Sequence, residues 1–353
     1  MKLYKKIISL SLVIAIMLVL SAACSLDNFS MPDFPGRNND PATPRESPGQ
    51  SGPASSDSEI KDTPKDLPVD SVPLAQPPAV PIVLMPVASG ERVEKNSQAI
   101  IDYSNAADGY VMVKWLSSTT WQLRVQVTGP SGVVYTYIIH PDDTYNVFPL
   151  SDSSGSYLVQ VWEQNESGKF SLVISLSTNV SLKDEFAPFL RPNQYVNFSE
   201  TSDVVIKAAE LVTGKNSFNE KIAAVYSFVI RNFTYDTEFA QQVSSGGVSS
   251  YIPDLDDVFA RKKGICFDYA AVMTAMLRSQ GIPTKMVFGY VDDVYHAWIN
   301  VFSEETGWID QVIFFDGENW IFMDPTFASA ASNASSLQAF IGSGGIYTAV
   351  KLY

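Results

Sequence analysis

Two cysteines and two histidines in 353 residues leave little room for several kinds of protein. A disulfide framework needs more cysteines, and a zinc site built mainly from Cys and His needs more of both. Cys24, Cys266, His140 and His296 are therefore four residues to account for one by one. Positive charge is scarce as well: 24 Lys and Arg stand against 38 Asp and Glu, a formal net charge of −14. A nucleic-acid binder carries a basic face, so the balance argues for no nucleic acid among the partners. What is plentiful is apolar and aromatic surface, 46% and 12% of the chain, which excludes wholesale disorder. The length suffices for about two domains of ordinary size.

At the amino terminus Lys2, Lys5 and Lys6 precede an almost unbroken apolar run from Ile7 to Leu20. The run is short for a stop-transfer helix, which needs about 20 residues. Ser21-Ala22-Ala23 then offers the small side chains a signal peptidase requires, and Cys24 follows at once. Leu20-Ser21-Ala22-Ala23-Cys24 resembles a bacterial lipobox, with Ser21 where an aliphatic residue is usual. The resemblance implies a lipoprotein signal peptide over 1–23 and acylation of Cys24. It also implies a location outside the cytoplasm, lipid-anchored to the outer face of the bacterial cell membrane. An ordinary secretory signal with a nearby cysteine is the competing reading. Two or more acyl chains anchor stably, so an acidic body needs no basic patch to remain at the membrane.

Residues 24–89 hold thirteen of the 21 prolines among Ser, Asp, Asn and Gly, a composition that cannot bury enough apolar surface to offset its ordering entropy. They read as a disordered, semi-extended spacer. The more apolar Val80–Val87 run is expected to dock on the next domain as an edge segment, because its prolines bar it from a central strand.

Residues 90–185 alternate in the manner of strands, clearest at Tyr110–Trp115, Gln122–Val127 and Tyr157–Trp162, with Gly-containing turns between. Short strands at near-regular spacing predict an antiparallel β-sandwich of about seven strands. Trp115, Trp121, Tyr135 and Tyr137 are read as core or cross-strand pairs in preference to a sugar-stacking platform, and His140 as a solvated turn residue. Residues 186–202 read as a connector whose aromatics fill an interface.

From 203 to 353 the period lengthens to about 3.6. Val204, Val205, Ala208 and Leu211 share a helical face closed by Gly214, and Ser217 with Glu220 forms a capping box for a helix ending near Asn232. Phe233 to Asp236 is expected to begin a loop. Cys266 opens a further helix carrying Ala270, Met273, Thr274 and Leu277, closed by Gly281-Ile282-Pro283. The free N–H groups and dipole at such a helix start favour negative charge on a group seated there, and can donate to an oxyanion. His296 lies thirty residues on, at the start of an alternating strand, and Asp324 ends a second strand beyond the Asp316-Gly317 turn. Adjacent antiparallel strands would set the carboxylate against one imidazole nitrogen while the other faces the sulfur.

Residues from about 217 to 330 resemble the transglutaminase-like domain, a papain-related fold with Cys, His and Asp in that chain order. The resemblance rests on Gly264-Ile265-Cys266-Phe267-Asp268-Tyr269-Ala270, Gly281-Ile282-Pro283 leading to Gly289-Tyr290, His296-Ala297-Trp298, and Asp324-Pro325-Thr326. It implies Cys266 as nucleophile, His296 as general base and acid, and Asp324 as the residue that orients the imidazole. No cofactor and no metal is implied. Tyr235 is a weak candidate for an additional oxyanion donor, with packing the simpler account.

The expected fold class is α+β: an N-terminal antiparallel β-sandwich, then a papain-like transglutaminase core with a helical first part and an antiparallel sheet after it. The expected function is a surface-anchored thiol hydrolase or acyltransferase acting on Gln side-chain amides or peptide bonds of a protein or peptide, such as a cell-wall peptide. Three other readings of the Cys-His-Asp set stand beside it: a buried structural cysteine, a zinc site of these three side chains, and an intact triad without an accessible cleft. The alternative function is a non-catalytic surface binding or scaffolding lipoprotein.

Overall fold

The computed structural model describes residues 78–353 except 249, 292–293, 311–313, 316–319 and 322–346. Two antiparallel four-stranded sheets come first. One, in the order β1-β2-β3-β6, is built from Val93–Lys95, Ala99–Asp102, Tyr110–Trp115 and Tyr145–Pro149. The other, in the order β5-β4-β7-β8, is built from Val134–Ile139, Leu123–Thr128, Gly155–Gln164 and Phe170–Val180. Period-two burial is cleanest in the second sheet, where Leu123, Val125 and Val127 of β4 and Tyr135, Tyr137 and Ile139 of β5 are buried. They share one apolar cluster with Ile101, Val111, Val113 and Trp115 of the first sheet. Burying each such side chain contributes about 1.5–3 kcal/mol. Of the four aromatics expected in the core, Trp115, Tyr135 and Tyr137 are there, whereas Trp121 is exposed.

Strand β3 departs from alternation, with Tyr110 and Met112 buried as well as Val111 and Val113. Its second face is covered by the segment at 78–90. Val87 N–H donates to Tyr110 Oη at 3.0 Å, and Asn105 Nδ2 donates to the Val87 carbonyl at 2.8 Å. Rather than adding an edge strand, the segment forms no ladder and runs on beyond this half of the molecule. Ile82 N–H donates to the Ser279 carbonyl at 2.7 Å and Ala79 N–H to Thr213 Oγ1 at 3.0 Å. Its prolines lack the donors a ladder needs, so single hydrogen bonds pin it instead.

The second half opens with α1 (Asp203–Val212) and α2 (Phe218–Asn232), the latter with the expected capping box: Glu220 N–H donates to Ser217 Oγ and Ser217 N–H to Glu220 Oε2. The expected loop after Phe233 is instead a strand and a helix. Thr234–Tyr235 (β9) pairs in parallel with Lys263–Gly264 (β10), and Asp236 caps α3 (Thr237–Ser244) by accepting from Phe239 N–H. Asp254 likewise caps α4 (Leu255–Arg261). Then come α5 (Cys266–Arg278) and a sheet of order β13-β12-β11-β16, formed by Gly307–Ile309, Val294–Ser303, Thr284–Val291 and Tyr347–Leu352. Phe314–Phe315 (β14) and Trp320–Ile321 (β15) make a separate antiparallel pair. The strand expected to lie beside His296 therefore pairs, where it is described, with β14 and not with β12.

Helix α5 packs on α1, α2, β11 and β12, and every residue from Phe267 to Arg278 is buried. Arg278 at its C-terminal end is fully buried and donates only to main-chain carbonyls: Thr284 through Nε and Nη2, Tyr353 through Nη2, and Arg191 through Nη1, all at 2.7–3.0 Å. Burial pulls its pKa down to about 9, which still leaves the guanidinium charged at neutral pH. Removing it takes a donor from carbonyls of three separate segments, of which Tyr353 keeps the Met286 N–H. Arg278→Met is expected to cost about 2–4 kcal/mol in urea unfolding, and an unchanged midpoint would contradict this account.

Candidate active site

Cys266 is the first residue of α5 and is half-buried. The residue before it, Ile265, has no oxygen with which to cap the helix. The start is held by Asp268, whose carboxylate folds back to accept Ile265 N–H at 2.7 Å. Gly264 makes this possible, since a Cβ there would collide with the Asp268 side chain. The other carboxylate oxygen, Oδ1, accepts a short hydrogen bond from Tyr251 Oη, which comes from the segment ahead of α4. Burial raises the Asp268 pKa, against the lowering effect of the Tyr251 and Ile265 hydrogen bonds. The Tyr251 phenol is pushed far up, first by burial and then by the Asp268 charge.

His296 is buried on β12, directly opposite Gly289 of β11. Alternation puts it on the face shared by Trp298 and Asn300, and its ring lies nearly parallel to the Trp298 indole at 6.4 Å between centroids. A Cβ at Gly289 would run into the Trp298 ring and the Thr348 carbonyl, so glycine at that position keeps the indole beside the imidazole. Tyr295, one residue before His296, is exposed. Its pKa is raised by burial of part of the ring, then by Tyr290 and by the Cys266 charge. Phe267 at the helix tip meets Phe288 at 4.8 Å, and Phe288 stacks on Tyr295 at 6.0 Å, so the tip and the start of β12 are joined through one ring. Asp324 and Cys24 lie outside the described residues. His140 is exposed at a strand end, and Tyr235 is half-buried beside the Tyr269 ring.

The sequence reading missed Asp268 as a cap, although an acid two residues into a helix after Gly-Ile-Cys is the visible signal. It also missed Tyr251, which touches the site only through long-range folding. Tyr251 lines two cavities, a polar one of about 300 Å³ with Asp236, Arg261 and Lys263, and an aromatic one of about 340 Å³ with Phe267 and Tyr295.

Residues 207–325, which include Cys266, His296 and Asp324, match the family model of the transglutaminase-like superfamily. The chain carries a transglutaminase-like domain. An uncharacterized protein of Bacillus subtilis (strain 168), YebA, is 27% identical over 121 residues, 29% of this chain and 16% of that protein. The chain thus spans well under two thirds of that relative. Among solved structures, a candidate cysteine protease from Cytophaga hutchinsonii aligns at a TM-score of 0.34 and 14% identity, over 74% of this chain and 73% of its own. Red sea bream transglutaminase aligns at 0.23 and 13% identity, over 69% and 55%. Scores this low carry no argument about architecture, and the transglutaminase-like assignment rests on the family match.

The buried carboxylate gives a test of the helix start. Asp268→Asn keeps an oxygen acceptor without the desolvated charge, whereas Asp268→Ala leaves Ile265 N–H and Tyr251 Oη unpaired. The alanine variant is expected to lose about 1–3 kcal/mol and the asparagine variant less. Because burial raises the folded-state pKa of Asp268, its contribution is full below the ordinary carboxylate pKa and is lost as pH rises through the raised value. Urea melts across pH 4–8 should therefore show a shallower decline for Asp268→Asn than for the unaltered protein, and parallel curves would refute the assignment.

Proposed function

We propose that the protein is a thiol hydrolase or acyltransferase of the transglutaminase-like type, with Cys266 as nucleophile, His296 as general base and acid, and Asp324 as the group that orients the imidazole. The observation that carries this reading is the seat of Cys266. It stands at the N-terminal tip of a buried helix packed on the strand that bears His296, inside the stretch matched to the superfamily. In the proposed reaction the sulfur attacks the carbonyl carbon of a Gln side-chain amide or a peptide bond. An S–C bond forms, helix-start N–H groups donate to the oxyanion, and the C–N bond breaks as the leaving nitrogen takes the proton His296 removed from sulfur. Water or an amine then attacks the thioester, its proton returning through His296 to sulfur. Hydrolysis dominates in a cleft open to water, and transamidation needs a site that favours the amine.

The same reading extends to the rest of the chain. The two N-terminal sheets form a β-sandwich, and the protein is held outside the cytoplasm by acyl chains on Cys24, with the proline-rich stretch as spacer and no metal or other cofactor. Among the described residues no helix is long and apolar enough to cross a membrane. The substrate is a protein or peptide, with cell-wall peptide as one candidate.

Gln-containing peptides incubated with a fluorescent amine are expected to show ammonia release, amine incorporation or backbone cleavage. Any of these should fall about 10⁴-fold or more in Cys266→Ala. Iodoacetamide should label Cys266 about tenfold more slowly in His296→Ala than in the unaltered protein. No turnover, together with labelling indifferent to His296, would favour a non-catalytic binding or scaffolding protein instead. For the anchor, the intact mass of membrane-extracted protein should correspond to a chain starting at Cys24 with added acyl mass, and a different start or no added mass would defeat that part.

A further inference from the structure

Beside the helix tip lies an aromatic cavity of about 340 Å³ to which both halves of the molecule contribute. Its wall on one side is Phe267, the residue after Cys266, with Phe288 of β11 and Tyr295 of β12. The other side is supplied by Tyr195 of the connector, Tyr353, and the exposed edge strand β5 through Val134 and Thr136. The rings meet edge to face: Phe267 and Phe288 at 4.8 Å and 76°, Tyr195 and Tyr353 at 4.7 Å and 83°, Phe288 and Tyr353 at 5.6 Å and 84°. Such a lattice is completed by one more aromatic ring, which finds both faces and edges to pack on. A volume of this size admits one large side chain and its flanking main chain. On the rim Lys351 Nζ donates to the Val134 carbonyl and keeps two donors for main-chain carbonyls of an incoming chain.

We propose that this cavity is a specificity site for an aromatic residue of the acyl-donor peptide, close in sequence to the residue whose carbonyl Cys266 attacks. The proposal rests on the thiol-enzyme reading above and adds what the substrate must carry. Its position follows from chain continuity: Phe267 adjoins the nucleophile, Tyr295 adjoins His296, and the two are joined through the Phe288 ring, 4.8 Å from Phe267 and 6.0 Å from Tyr295. A peptide is favoured over a glycan because most of the lining rings are crossed, Phe288 and Tyr295 alone lying parallel among those described, whereas a sugar needs a broad flat ring face. It also gives the N-terminal sheets a part in the chemistry, since β5 forms one wall.

The test uses full-length Cys266→Ala protein, which separates binding from turnover. Titration calorimetry would compare Gln peptides with Phe immediately before or after the Gln against twins carrying Ala. A Phe peptide is expected to bind about tenfold to a hundredfold more tightly than its twin. Thr136→Trp, at an exposed position that lines the cavity, should erase the preference, and Val134→Trp serves as the second variant should the first not fold. Equal binding of Phe and Ala peptides would overturn the proposal, as would a preference that survives in a folded Thr136→Trp protein. Equal competition by an N-acetylglucosamine trimer would overturn it in favour of a glycan site. A Phe preference in the Cys266→Ala protein, with no turnover of either peptide by the unaltered chain, would uphold the site while sinking the catalytic reading.

Discussion

A helix buried on every side must satisfy both of its ends from within the protein, because water cannot reach its free N–H and C=O groups. Helix α5 is in that position from Phe267 to Arg278. Its start is held by Asp268 and Tyr251, and just past its end the Ser279 carbonyl accepts from Ile82 N–H of the covering segment. Arg278 at the same end does not cap the helix; it spends its donors on the neighbouring carbonyls of Thr284, Arg191 and Tyr353. The position of Cys266 depends on both arrangements. The tip stays half-open while the remainder of the helix is clamped.

The same clamps join the two halves of the chain. Arg191, whose carbonyl accepts from Arg278, itself donates to the carbonyls of Asp108 and Leu84 and lies over the Tyr110 ring. Phe186 and Phe189 of the connector pack on Phe302 of β12 and Trp308 of β13, and the segment at 78–90 crosses from Thr213 and Ser279 to Tyr110. The N-terminal sheets are therefore not a separate bead. They are fixed to the elements that carry Cys266 and His296, and a wall contributed by β5 can hold a constant distance from the thiol.

Much of this was legible in the sequence where local chemistry decides structure. The Ser217–Glu220 cap, the period-two runs of β4, β5 and β7, and the helix starting at Cys266 follow from spacing alone. Alternation fails along β3, where Tyr110 and Met112 are buried as well as Val111 and Val113, and Trp121 is exposed where a core position was expected. For α5 the spacing of Ala270, Met273, Thr274 and Leu277 after Cys266 marked a buried helix. The structure buries the whole of it, and small residues such as Ala270, Ala271 and Ala275 let neighbours close in. The two-residue strands at Thr234 and Lys263 were invisible, because a parallel pairing twenty-nine residues apart leaves no periodic trace. Of the candidate site, Cys266 and His296 stand on the predicted kinds of element. The aromatic cavity was not foreseen, since its rings come from the connector, the segment ahead of α4, the start of α5, β11, β12 and Tyr353, and nothing local marks residues that meet only in the fold.

The electrostatics at the tip also fit together in sign. An ionised carboxylate two residues from Cys266 would oppose negative charge on any group seated at the helix start, and Asp268 occupies that position. Burial raises its pKa, and the Tyr251 phenol, itself pushed far up and so keeping its proton, donates a short hydrogen bond to Oδ1. The cap can thus hold Ile265 N–H through its oxygen while presenting less charge to the sulfur than an exposed aspartate would. A surface aspartate in the same sequence position would cap equally well but would work against the helix dipole that the Cys266 chemistry requires. The burial of α5 is therefore a condition of the proposed reaction as well as of the fold.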